Sequence, residues 1–194
     1  MLTPEDTSKL TYMSHLILPV SPRDHVEGPL DASEVLVEYG DYECPYCEAV
    51  LPTLKEIQSR MGDSLAFVYR HFPLPNIHTH AWKAAEAAEA AAAQGRFWEM
   101  HERLFQRQPA LDERDLVVYA RDLGLDPSRF TLDLTAGMHS AHVDEDFRSG
   151  VLSGVNGTPT FFINGIRHEG SYDVESLLSA LHGLRPRGPT SGRA

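Results

Sequence analysis

Strand signals in this chain fall into two groups, separated by a long block that carries helix signals almost alone. "EVLVEYG" (34–40), an apolar run ended by glycine, and "SLAFVYRHF" (64–72) read as buried strands. Residues 78–153 then read as successive helices. "HAWKAAEAAEAAAAQG" is Ala-rich with a Gly stop, and "RFWEMHERLFQRQ" sets Phe97, Trp98, His101, Leu104 and Phe105 near one face. "LDERDLVVYARDLGL" opens on Asp112 as N-cap, "DPSRFTLDLTAGM" has Pro127 in its first turn, and "HSAHVDEDFRSGVLSG" is the least regular of the five. Strands return as "TPTFFI" (158–163) and "IRHEG" (166–170) around Asn164-Gly165, the best two-residue hairpin turn. "DVESLLSALHGL" (173–184), capped by Asp173, closes the pattern. This order predicts an α/β sheet interrupted by a helical insertion. The division is an extended polar arm (1–33), a sheet domain (34–77 and 154–184), the insertion (78–153) and a disordered tail (185–194).

A chain of 194 residues fits one domain with an insertion. A formal net charge of −11 argues against nucleic acid and against an anionic membrane surface. Neither phosphate-binding glycine pattern, GxxxxGK[ST] or GxGxxG, occurs. The N-terminal stretch begins with acidic charges and its longest apolar run, "LILPV", is too short for a signal peptide. The expectation is a cytoplasmic protein without membrane insertion, or a periplasmic or extracytoplasmic one if the chain is a processed form.

Only two cysteines are present, Cys44 and Cys47, in "YECPYCEAV". They cannot build a disulfide framework. They also cannot make a zinc site alone, and nothing in the sequence brings His78 and His80, or His139 and His142, to them. No metal is therefore expected, and those histidines read as surface or helix-end residues. Two buried thiols packed on a sheet is the bland alternative. Cys44 follows a strand and opens the helix running to Met61, with Pro45 in the first turn and Pro52 as an expected kink. A thiolate there faces unpaired backbone N–H groups and the positive end of the helix dipole, which lower its pKa. Cys47, one turn further in, shares its side of the helix. This chemistry assigns Cys44 as nucleophile and Cys47 as resolving thiol, a redox-active disulfide needing no other cofactor.

"VEYGDYECPYC", "RHFPL", "AAEAA…QGRFWEMHERLF" and "GVNGTPTFFING", in this order, resemble the DsbA-like branch of the thioredoxin superfamily over residues 28–184. The resemblance implies a thioredoxin-like fold with a helical insertion, and thiol–disulfide exchange with protein thiols and disulfides. It implies a redox partner of thioredoxin-, glutathione- or DsbB-like type. Pro159 matches the family's cis-proline, and Thr158 the residue whose backbone pairs with substrate beside Pro45 and Tyr46. Glu38 matches the buried acid that exchanges protons with the resolving thiol. "PY" between the cysteines is typical of glutaredoxins and differs from the histidine-containing pair usual in DsbA oxidases, which leaves the direction of electron flow open. Glutathione-dependent chemistry and a non-catalytic chaperone or interaction module are the alternatives. Phe97, Trp98, Met100 and Phe105 read as core of the insertion, with a substrate groove as their second reading.

Overall fold

A computed structural model of the protein describes residues 14–183; the first thirteen residues of the expected arm and the expected tail lie outside them. β1 (His25–Glu27), β2 (Glu34–Gly40), β3 (Leu65–His71), β4 (Thr160–Ile163) and β5 (Ile166–Arg167) form one sheet in the order β1-β3-β2-β4-β5. β2 and β3 run parallel at its centre, and the other neighbours pair antiparallel. A parallel pair needs a crossover, and α1 (Pro45–Met61) provides it, unbroken through Pro52. The β4–β5 hairpin turns on Asn164 and Gly165, with φ of 50° and 81°, the left-handed values this turn requires.

The period-two alternation of β2 sorts its side chains between two layers. Leu36 joins Phe67, Phe161 and Ile163 beneath α1 and α7 (Val174–Gly183). Val37 and Tyr39 face the other way with Val68 and Phe162. Glu38 therefore points to the α1 side, where its carboxyl is fully buried.

Between β3 and β4 lie α2 (Ala81–Ala92), α3 (Phe97–Gln106), α4 (Glu113–Asp122), α5 (Pro127–Thr135) and α6 (Ser140–Leu152). The alanines of α2 let it approach closely, and Ala84, Ala87, Ala88 and Ala91 share a core with Phe97, Met100, Leu104 and Phe105. That core is continuous with Tyr42, Cys44, Cys47 and Tyr69, so the insertion is packed onto the strand–helix turn. Asp173 caps α7 by accepting the Ser176 N–H at 2.9 Å. Asp112 precedes α4 without a capping bond; its carboxylate lies 3.2 Å from His80 instead.

The stretch expected to be a leading arm is built into the sheet from residue 14 onward. Leu16 donates to the Gly165 carbonyl and Arg167 donates to Ser14, each at 2.9 Å, along the β5 edge. The chain then crosses the Val37–Tyr39 face, burying Leu16 and Val20 against it, and reaches the opposite edge as β1. Arg70 explains the route. Its guanidinium is only 1% exposed and needs acceptors, and Asp24 supplies one at 2.7 Å, the Leu18 carbonyl another at 2.8 Å.

Candidate active site

After β2 the chain turns through Asp41–Glu43, and the buried Asp41 carboxylate organises the turn. It accepts the N–H groups of Glu43 and Leu74, each at 2.8 Å, and meets His78 Nδ1 at 2.8 Å. The Asp41 carbonyl accepts the Cys44 N–H at 3.1 Å, which sets Cys44 at the N-cap of α1 with Pro45 as first helical residue. Cys44 is 4% exposed and Cys47 fully buried, and the two are unbonded thiols. Cys44 Sγ lies 3.2 Å from the carbonyl oxygen of Thr158, across a cis Thr158–Pro159 peptide bond.

The two sulfurs differ electrostatically. The Cys44 pKa falls from 9.0 to about 5. A hydrogen bond from Cys47 is the largest influence; burial opposes it, and the Thr158 side chain and the Cys47 and Tyr46 N–H groups add to it. Thr158 Oγ1 is buried with no partner of its own, which leaves its hydroxyl available to a Cys44 thiolate. Cys47 is pushed well up, first by burial, then by its bond to Cys44 and by Glu38. Burial, reinforced by the charge on Cys44, raises Glu38 from 4.5 to about 8, and neither of its oxygens has a hydrogen-bond partner. At neutral pH the geometry holds a thiolate on Cys44 and protons on Cys47 and Glu38.

Tyr46, 73% exposed, stands over a cavity of about 320 Å³ lined also by Ala49, Val50, Thr53, Thr158, Pro159 and Tyr172. Pro45 is exposed beside it. The residues expected from the sequence therefore converge: Pro45 and Tyr46 at the surface, Thr158 half-buried, and Cys44, Pro159, Cys47 and Glu38 buried beneath them. Asp41, Gln108 and Tyr172 escaped the sequence reading. Gln108 Nε2 donates to the Cys44 carbonyl at 2.9 Å, and the Tyr172 hydroxyl donates to the Pro159 carbonyl at 3.3 Å. The acidic turn "GDYEC" was the one available signal for Asp41; nothing local marks the other two.

Phe97, Met100 and Phe105 are core, whereas Trp98 is half-buried and lines a groove of about 550 Å³ with Leu51, Pro52 and His101. His78 and His80 lie on Asp41 and Glu43, each at 2.8 Å. His142, read as a surface or helix-end residue, lies in the first turn of α6 and is part-exposed, with its ring toward Glu89 and Asp146 because α6 packs against α2 and β3.

The family model described as thioredoxin matches residues 20–182. Among solved structures, a thioredoxin-like oxidoreductase from Silicibacter pomeroyi superposes with a TM-score of 0.76 at 27% identity, covering 85% of this chain and 94% of that one. Pseudomonas aeruginosa DsbA2 gives 0.69 at 25% identity, covering 86% and 97%. Bacillus subtilis BdbD, oxidised, gives 0.76 at 23%, covering 88% and 96%, a likeness of fold. Curated relatives include proteins named Na(+)/H(+) antiporter NhaA 1 in Salinispora arenicola, 46% identical over 179 residues, and NhaA in Herminiimonas arsenicoxydans, 44% identical over 168. This chain is matched over 89% and 86% of its length but spans only 27% of each of those proteins. Among the described residues no helix is long and apolar enough to cross a membrane. The chain belongs to the thioredoxin family, with the fold of its DsbA-like thiol–disulfide oxidoreductases.

Proposed function

We propose that the protein exchanges disulfides with protein thiols through Cys44 and Cys47, and that it works as a disulfide donor. The observation that carries this reading is the contrast between the sulfurs: Cys44 at the helix N-cap, held to about 5, and Cys47 buried and pushed up. A substrate thiolate attacks Cys44 Sγ in the Cys44–Cys47 disulfide, and Cys47 leaves with the electron pair. Glu38, protonated at neutral pH, gives Cys47 its proton. A second substrate thiolate attacks the substrate sulfur of the mixed disulfide and Cys44 leaves as thiolate, so the substrate loses two electrons and the protein gains them. The Thr158 carbonyl, Pro159, Tyr46 and Tyr172 border the cavity where the substrate segment lies.

The direction follows from the stability of the leaving thiolate. Ionising Cys44 two units below neutral pH stabilises the dithiol by about 3 kcal/mol, or roughly 60 mV relative to an unperturbed pair. Equilibration with glutathione tests it. The expected potential lies about 50 mV or more above thioredoxin's roughly −270 mV, and a value at or below that figure contradicts a donor role. We assign the ion transport in the antiporter relatives' names to the parts of their chains that this one does not match.

A further inference from the structure

Away from the cysteines, four elements distant in sequence bring three imidazoles around one carboxylate. β1 contributes His25, β3 His71, α2 Glu89 and α6 His142. His25 Nε2 lies 2.6 Å and His71 Nε2 2.8 Å from the same Glu89 oxygen, and these three donor atoms all fall within 4.8 Å of one another. His142 points Nδ1 at the second Glu89 oxygen, 3.9 Å away. Its other nitrogen points at Asp146, also at 3.9 Å, and Asp146 is itself fixed by the His71 backbone N–H at 2.9 Å. The His25 ring is stacked on Phe97, with centroids 3.4 Å apart and planes at 8°.

A buried, hydrogen-bonded ion pair accounts for part of this cluster. It satisfies one Glu89 oxygen and the Nε2 atoms of His25 and His71. It gives no reason for His142, whose 3.9 Å separations are too long for hydrogen bonds on either side. Three imidazole nitrogens and a carboxylate are the donor set of a four-coordinate zinc-class ion. A histidine with one nitrogen toward such an ion and the other toward a carboxylate is the usual way a ligand ring is oriented.

We propose that His25, His71, Glu89 and His142 form a site for a divalent transition-metal ion of the zinc class, with Asp146 orienting His142. Ligand distances of about 2.0–2.1 Å put tetrahedral donors roughly 3.3 Å apart. The contacts to one Glu89 oxygen, 2.6 and 2.8 Å, are shorter than that value and the 3.9 Å from His142 to the other oxygen is longer, so closing the shell requires His25, His71 and Glu89 to spread and His142 to move inward. A cavity of about 50 Å³ opens beside it, lined by His142 and Asp146 together with Asp24, which is paired with Arg70, and Glu145, which is paired with Arg23. The ion would join β1 to the sheet and to both helices, so its effect falls on stability and on the seating of residues 14–27.

The test uses the full chain with Cys44→Ser and Cys47→Ser, so that no thiolate contributes, and cobalt(II) and zinc(II) as probes. One cobalt(II) ion should bind with the visible bands of a tetrahedral site, zinc(II) should displace it, and zinc(II) should raise the melting temperature. His25→Ala and His142→Ala should each weaken binding at least ten-fold and Asp146→Asn about ten-fold, while His168→Ala leaves it unchanged. X-ray absorption of the zinc-loaded unmutated site should show imidazole scattering, which needs no folded variant. Failure to retain cobalt(II) on dialysis, affinity indifferent to His25→Ala and His142→Ala, or a zinc spectrum without imidazole would each overturn the proposal.

Discussion

Cys44 Sγ lies 3.2 Å from the carbonyl oxygen of Thr158, a residue 114 positions further along the chain. This contact joins the N-cap of α1 to the segment that leads into β4, so the helix end meets the backbone ahead of the cis-proline. The account predicts that Cys44 in the reduced protein alkylates with a pH midpoint at about 5, and that Cys47 stays unmodified up to high pH. Mass spectrometry after iodoacetamide pulses at stepped pH reads both.

The unpartnered Thr158 hydroxyl should matter to the thiolate. Thr158→Val keeps the shape and removes one donor to a charged sulfur, at a cost of about 1–2 kcal/mol. The Cys44 midpoint should rise by roughly one unit, and the potential should fall with it. The same alkylation titration checks the first, and glutathione equilibration the second.

Glu38 carries a stability cost with a definite sign. Its folded pKa of about 8 lies above the ordinary 4.5, so its native carboxyl is favoured protonated. Its contribution is complete below pH 4.5 and is lost as pH rises toward 8. Glu38→Leu should therefore gain about 1–3 kcal/mol over the parent at pH 7 and little at pH 4, by urea unfolding of the reduced proteins. Disulfide transfer should slow at the same time, because Cys47 loses its proton donor.

Arg70 and Asp24 form a buried pair at 2.7 Å that anchors residues 14–27 across the sheet. Asp24→Ala strands the guanidinium and should cost roughly 3–5 kcal/mol. Proteolysis within residues 14–27 should accelerate in parallel, which limited digestion would show.

Gly150 sits where α6 crosses the sheet, and a Cβ there would lie 2.6 Å from the Phe72 ring and 3.0 Å from that of Tyr39. Gly150→Ala should destabilise by about 1–3 kcal/mol through overpacking, measured by denaturant unfolding.

How much of this was legible in the sequence depends on how local each feature is. "EVLVEYG" announces β2 because a strand buried on both faces is apolar almost throughout. The N-cap position of Cys44 was readable because Pro45 tolerates a first turn and little else in a helix. Glu38, Thr158 and Pro159 owed their roles to family resemblance, since nothing near residue 158 says that Cys44 lies beside it. β1 was missed: three residues in "SPRDHVEGPL", flanked by proline and glycine, show no periodicity, and their strand character comes from pairing with β3. The setting of Arg70 was not legible, because the Leu18 and Pro19 carbonyls that meet its guanidinium lie 52 and 51 residues away in the chain. His25, His71 and Glu89 meet across separations of 64 and 18 residues, beyond any helix or strand period.

Trapping the mixed disulfide tests the central claim most directly. Cys47→Ser protein, reduced and exposed to a disulfide-bonded peptide, should accumulate one adduct, mapped by mass spectrometry to Cys44. The parent protein should clear it through Cys47, and Cys44→Ser should form none. An adduct that forms equally well in Cys44→Ser, or no adduct in Cys47→Ser, would contradict the assignment of Cys44 as nucleophile.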